Sequence, residues 1–284
     1  MASLRLSDKL TYLLDVELNK CDTPLGVTKL FSTPIFSPLF DNIKVLLSRH
    51  HYVHISNVVF APRREVLEGI ANMFGTFRSP VENTNVRVDC AYDGCSIEAL
   101  PLHNDDAILD IMPAFGVLQV ENECPLKMPT NGIVLVDELV DYLKLHNTKL
   151  LEKLLTNKVP MLSSKTIKII KDNKVIFEEH ESELFAKKSI LFKEKGIYQS
   201  RFSLGRINYY YFKKTHVEQS QDEKNMITEF IEVANKLRKS LYLKQNDILI
   251  YNNKRILHDR SESAIEIGLN GEIKSRSFYI AFAT

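Results

Sequence analysis

Short runs rich in Val, Ile, Tyr and Phe recur along this chain without alternating one-for-one with helical segments. They are Tyr52–Phe60, Val86–Asp93, Phe115–Glu123, Gly132–Asp137, Val175–His180, Ser189–Glu194, Ile207–Phe212, Asp247–Asn253 and Arg276–Ala283. Gly, Pro, Asn and Asp bound them, as they bound strands. Helical spacing of apolar residues is clear in three places, Phe40–His50, Arg63–Gly75 and Glu223–Tyr242. A doubly wound parallel sheet needs strict strand–helix alternation, so the pattern argues against one. It predicts a mainly β, α+β chain: a helical N-terminal layer over about residues 1–80, packed on a large antiparallel sheet. The natural closed form of such a sheet is a double-sheet jelly roll, the double-stranded β-helix. Residues 1–284 are read as a single domain. The most polar stretch, Lys213–Asn225, is expected to be an exposed loop leading into the last helix.

Charge excludes some partners. The chain carries 37 basic and 36 acidic residues, a formal net charge of +1, so no global field draws in nucleic acid or an anionic membrane. No run of about 18 apolar residues exists to span a bilayer, and the polar N-terminus lacks the apolar core of a signal peptide. Cys21, Cys90, Cys95 and Cys124 lack Cys-x-x-Cys spacing, which disfavours a structural zinc site or a disulfide scaffold. These features predict a cytoplasmic protein with reduced thiols; they leave oligomeric state open.

Candidate chemistry lies in the histidines. His-x-acid triplets occur at His103-Asn104-Asp105 and His216-Val217-Glu218. The second sits in the polar loop with no apolar approach, so His216 and Glu218 read as exposed. The first lies between "ALPL" and "AILDIM", at the rim of an apolar segment. Residues two apart on extended backbone point the same way, so His103 and Asp105 can face one ion; a solvated turn is the plainer alternative. Two histidines and one carboxylate form the facial set of non-haem iron(II) oxygenases. A distal histidine is available in "NDILIYNNKRILHDRSES", where His258 closes an apolar run. His50 and His51 end a helix, where positive charge is favourable, while His146 and His180 lie among charged residues.

With these segments in view, the chain resembles the iron(II)- and 2-oxoglutarate-dependent dioxygenases of the taurine dioxygenase class, the group that includes clavaminate synthase and carbapenem synthase. "YVHISNVVF" resembles the family's early strand, and "LPLHNDDA" its Leu-Pro-x-His-x-Asp segment. "GIVLVDELVDYLKL" resembles the strand and helix that follow. "NDILIYNNKRILHDRSE" with "SRSFYIAF" resembles the C-terminal block and its arginine-bearing strand, and is the most specific match. The N-terminal third and Leu150–Asn208 match only in outline.

The resemblance implies that His103, Asp105 and His258 ligate iron(II) and that Arg276 binds the distal carboxylate of 2-oxoglutarate, with O2 as the oxidant. A planar guanidinium fork suits that carboxylate; Lys274 is the neighbouring rival. A family threonine that helps to bind the cosubstrate is replaced by Val134, so its contact must be absent or supplied elsewhere. Ile280 stands where the taurine enzyme has a sulfonate-binding arginine, which disfavours small sulfonates. The segment between His258 and Arg276 is longer than the family leads one to expect. Asp105 keeps the carboxylate that related halogenases lack, which disfavours halogenation.

The implied substrate is a small amino-acid-like or natural-product metabolite, oxidised at an unactivated C–H by hydroxylation, desaturation or cyclisation. Arg201 and Arg206 in "YQSRFSLGRINYYYF" could meet a substrate carboxylate, or belong to an ordinary amphipathic β segment. Competing readings are a catalytically inactive jelly-roll binding protein and a hydrolase with one divalent metal at the same ligands.

Overall fold

The computed structural model describes residues 2–86, 96–171 and 174–284. Along the chain run β1 (Ser3–Arg5), α1 (Asp8–Leu18), α2 (Pro24–Phe31), α3 (Ser37–His50), β2 (Tyr52–Ser56), α4 (Arg64–Asn72), β3 (Phe77–Asn85), β4 (Leu100–His103), β5 (Phe115–Asn122) and β6 (Asn131–Leu135). Then come α5 (Val136–His146), α6 (Thr148–Thr156), β7 (Lys158–Lys171), β8 (Lys174–Ser189), β9 (Leu191–Glu194), β10 (Ile197–Ser200), α7 (Leu204–Lys213) and α8 (Gln221–Leu237). The chain closes with β11 (Lys239–Leu241), β12 (Ile248–Asn252), β13 (Ile256–Arg260), β14 (Ile265–Ile267), β15 (Ile273–Ser275) and β16 (Ser277–Ala283).

Two sheets form the sandwich. The larger has the order β1-β2-β12-β5-β16-β3 and the smaller β11-β6-β13-β4. Apart from the parallel β1–β2 pair, neighbours in both are antiparallel. Neighbours distant in sequence, such as β12 and β2, make this a jelly-roll arrangement rather than a meander.

Side-chain alternation divides each strand between two environments. Leu118 and Val120 of β5, Leu249 and Tyr251 of β12, Ile133 and Leu135 of β6, Ile256 of β13, and Ile280 and Phe282 of β16 meet between the sheets. The intervening Val117, Ile248, Ile250, Ala281 and Ala283 face outward and pack with α1–α4. Across the smaller sheet, Val134 and Leu257 face outward against α5, α6 and α8. This double apolar coat explains why β6 and β12 read as continuous apolar runs: helices cover the outer face of each sheet.

The helices begin and end where local chemistry allows. Ser7, Thr23 and Ser220 each accept a hydrogen bond from a backbone N–H in the first turn of α1, α2 and α8. Chain reversal after α3 places His51 in the left-handed region at φ 64°. His51 then hydrogen-bonds Asp137 at 2.9 Å. Burial lowers its pKa despite that carboxylate.

One strand expectation is corrected. Ile207–Phe212 lies inside α7, not in a β segment. Tyr and Phe favour strands intrinsically, but Leu204, Ile207 and Tyr211 recur at helical spacing and together meet the α8 side of the core. Tertiary burial of that stripe outweighs the local preference. The polar loop expected at Lys213–Asn225 spans the end of α7 to the start of α8. Of the strand expected over Val86–Asp93, only Val86 falls within the described residues, and Cys90 and Cys95 lie outside them. Cys21 and Cys124 are free. No helix among the described residues is long and apolar enough to cross a membrane.

Candidate metal centre and buried arginine

His103 ends β4, and its cross-strand partner on β13 is His258. Directly paired residues on adjacent strands project to the same side, so two histidines 155 residues apart in sequence become neighbours, with ring centroids 4.2 Å apart. His258 alternates with Ile256 of the inter-sheet core, which puts this pair on the inner face of the smaller sheet. Asp105 lies just beyond β4. Its Oδ1 is 3.7 Å from His103 Nε2 and its Oδ2 is 3.5 Å from His258 Nε2. One ligand atom from each of the three lies within 4.8 Å of the others, the one such cluster of three or more among the described residues.

Several contacts prepare the trio. A carbonyl can only accept, so His103 Nδ1, 2.9 Å from Pro101 O, carries the ring proton; its Nε2 is left with a lone pair aimed at Asp105. Asn253 clamps the Asp105 backbone at both ends: its Oδ1 accepts from Asp105 N at 2.8 Å and its Nδ2 donates to Asp105 O at 2.9 Å. Tyr251 donates its hydroxyl to Asp105 Oδ2 at 2.6 Å. Buried Asn104, between the two candidate ligands, donates to Ser200 Oγ, Asn253 O and Ile256 O and accepts from Phe202 N. Asn104→Ala would strand these groups without water at about 1–3 kcal/mol for each left unsatisfied. The expected result is a sharply lower melting temperature, measured by circular dichroism; an unchanged melt would show that the network is not structural.

Burial is the largest influence on His258 and, together with His103, outweighs the pull of Asp105, so its pKa is lowered. For Asp105 burial opposes ionisation, but attraction to His258 and contact with both imidazoles overcome it and hold the carboxyl well below the usual range. His258 Nδ1 is buried with no partner. Two Nε2 atoms and a carboxylate, all inward-facing and with the His103 tautomer set by Pro101 O, fit a transition metal of the iron type.

Arg276 faces the same interior. It immediately precedes β16, two residues before Phe278, which joins Ile280 and Phe282 at the inter-sheet core, and is only 2% exposed. Its Nη2 donates to Asn131 Oδ1 across the sandwich at 2.8 Å, while Nη1 is buried with no partner. Burial, reinforced by repulsion from Arg260, pushes its pKa down to about 10. Arg260 is also buried, but both of its Nη groups are occupied, by Ser96 O, Glu98 O, Ser261 O and Ser263 Oγ, and its Nε has no partner among the described residues. Lys274 sits instead on the exposed β14–β15 hairpin, paired with Glu266 and Glu272; that hairpin accounts for the extra length between His258 and Arg276.

Other expectations fall as follows. Val134 faces the outer helical layer, away from Arg276; the inner face of β6 presents Asn131 and Ile133 instead. Asn131, missed in the sequence, would have been found by counting two-residue steps from Ile133. Tyr251 was absorbed into an apolar strand run, and nothing local marks its hydroxyl. Arg201 is half-buried and donates to Asp110 O at 3.1 Å. Arg206 lies on α7; Asp106, whose pKa burial raises against the pull of Arg78, pairs with Arg78 at 3.3 Å. His216 and Glu218 are exposed, as expected. His50 and His146 are also exposed, the latter against Tyr142, and the side chain of His180 lies outside the described residues.

No protein-family model and no curated protein matches the sequence. Solved structures do. An asparagine oxygenase in complex with Fe(II), 2S,3S-3-hydroxyasparagine and succinate superposes with a TM-score of 0.74 at 12% identity, covering 100% of this chain and 93% of that one. The non-haem iron oxygenase OrfP in complex with Fe and alpha-ketoglutaric acid superposes with a TM-score of 0.68 at 14% identity, covering 100% and 94%. Over its whole length, this chain has the jelly-roll fold of the non-haem iron oxygenases.

Proposed function

We propose that the chain is an iron(II)- and 2-oxoglutarate-dependent dioxygenase acting on a small amino-acid-like substrate. The observation that carries the reading is the pairing of a two-histidine, one-carboxylate cluster with a buried, half-partnered arginine on the same inner face. An isolated metal site, as in a hydrolase, gives no reason for a guanidinium buried without a carboxylate, which is costly unless an anion completes it. Asn131, which holds Arg276, lies two residues along β6 from Ile133, the partner of His258. Two strand residues span roughly 7 Å, a reach suited to a five-carbon dicarboxylate extending from the metal cluster to the guanidinium.

His103, Asp105 and His258 would hold the iron, and Arg276 with Asn131 would receive the distal carboxylate of 2-oxoglutarate. Bound there, iron(II) and the keto acid supply oxidative decarboxylation by O2: one oxygen atom goes to succinate, carbon dioxide leaves, and the other oxidises a substrate C–H. The chain's own residues supply position and dryness. Ile133, Leu118, Ile280 and Phe282 line the interior, excluding water that would otherwise weaken the Arg276 contact. The Asp105 carboxylate occupies the position that halogenation would need empty, which favours hydroxylation, desaturation or cyclisation. The asparagine oxygenase structure holds 3-hydroxyasparagine with succinate, which supports the amino-acid class, and the OrfP structure holds alpha-ketoglutaric acid, which supports the cosubstrate.

Anaerobic loading with iron(II), followed by O2, 2-oxoglutarate, ascorbate and a panel of amino acids, is expected to yield succinate together with an oxidised amino acid. Iron uptake without any 2-oxoglutarate turnover across the panel would favour an inactive binding protein. His216 and Glu218 take no part in this scheme, since an exposed loop gives a metal no rigid support. Replacing both by alanine is expected to leave bound iron and succinate formation at wild-type levels; loss of iron would move the centre to that loop.

A further inference from the structure

We infer that Tyr251 is a positioning residue for the Asp105 carboxylate, and that Gly116 is the position that admits it. The inference rests on the metal reading above. It starts from what already fixes each candidate ligand. His103 is held by Pro101 O, and the Asp105 backbone is held at N and O by Asn253. Only the side-chain torsions of Asp105 remain free, and the terminal torsion of a carboxylate is broad.

Tyr251 removes that freedom from the opposite sheet. It stands on the inner face of β12, fully buried, among residues that are aliphatic or phenyl except for its cross-strand partner Tyr52. Its hydroxyl reaches Asp105 Oδ2 at 2.6 Å, the length of a charge-assisted O–H···O⁻ bond. Its ring lies 5.0 Å from the His258 ring, so it also walls one side of the cluster. Phenylalanine would fill the core equally well; the hydroxyl is the part that needs a partner.

The ring reaches Asp105 by passing over the neighbouring strand. Gly116 is the cross-strand partner of Tyr251. A Cβ at 116 would stand 2.3 Å from Tyr251 Cζ and 2.5 Å from its hydroxyl oxygen. No side chain is compatible with the observed ring position, so glycine at 116 and the Tyr251–Asp105 bond form one device. It leaves Oδ1, the oxygen nearer His103 Nε2, oriented by the fixed Oδ2.

The test is metal binding by the full chain in the absence of cosubstrate. Cobalt(II) is titrated into wild type, Tyr251→Phe and Gly116→Ala, and affinity and the visible ligand-field spectrum are read. Tyr251→Phe is isosteric and should keep a cooperative metal-free melt. Losing a partner that orients a ligand typically costs about 10–100-fold in metal affinity, and that loss with an altered spectrum is expected. Gly116→Ala, which keeps the tyrosine but displaces its hydroxyl, should lose affinity in the same direction. If Tyr251→Phe binds cobalt as wild type does with the same spectrum, Tyr251 is packing alone and the inference is overturned while the metal reading stands. If wild type itself takes up no cobalt, the metal reading fails and the inference with it.

Discussion

Alanine in place of His103, Asp105 or His258 is expected to abolish succinate formation while leaving the protein folded. The effect should be total because each supplies one of three ligands, and a metal held by the other two has no protein-imposed facial geometry. His258→Ala is the most telling. Its strand, β13, is flanked by β6 and β4, and its outward neighbours, Leu257 in the helical core and Asp259 paired with Arg238 at 2.6 Å, stay in place. The sheet should therefore survive the change, and a cooperative thermal melt would separate lost chemistry from lost structure. Removing the imidazole also leaves Asp105 buried with one fewer partner, which further weakens the site. Near-wild-type turnover in His258→Ala, measured as succinate released per 2-oxoglutarate consumed, would sink the ligand assignment.

Arg276→Ala should raise the apparent 2-oxoglutarate constant by tens-fold or more with iron still bound. Its Nη1 has no partner among the described residues, so a carboxylate arriving there makes a charge-assisted bond in a dry interior. Breaking a buried charged pair costs about 2–5 kcal/mol, and a tenfold change in affinity corresponds to about 1.4 kcal/mol. Arg276→Lys should recover only part of the loss, because an ammonium cannot reproduce the planar fork. Asn131 would still accept a hydrogen bond from such a lysine, so partial rescue is a demanding test of geometry rather than of charge alone. An unchanged cosubstrate constant in Arg276→Ala, with Lys274→Ala impaired instead, would move the role to Lys274. The exposed pairing of Lys274 with Glu266 and Glu272 argues against that outcome.

How much of this was legible varied with how local the signal was. β-rich runs between turn residues mark strand after strand: β2, β5, β12 and β16 lie inside the runs that predict them, and β6 begins one residue before its run. Helices α3, α4 and α8 follow their apolar spacing. The long β7–β8 hairpin was seen only as its Val175–His180 fragment, because Lys and Ser interrupt the β-rich pattern of "KVPMLSSKTIKIIK". The Ile207–Phe212 error has the opposite cause: a strong local β preference concealed a helix that packing selects. His51 shows the same limit, since its partner Asp137 is 86 residues away.

The sequence by itself determined which strands alternate, which residue types sit at their ends, and the chain order of a His-x-Asp, a distal histidine and a later arginine. Those are properties of a period-two backbone and of short spacings, readable without a partner strand. The tertiary structure alone decided register and sidedness: that His103 pairs with His258, that Arg276 points inward and Lys274 outward, and that Val134 faces the helices while Asn131 meets the arginine. It alone joined Gly116, Tyr251 and Asp105. The physical reason is that a one-residue shift in pairing moves every side chain of a strand to the opposite face, and register in a jelly roll is set by contacts between strands far apart in sequence.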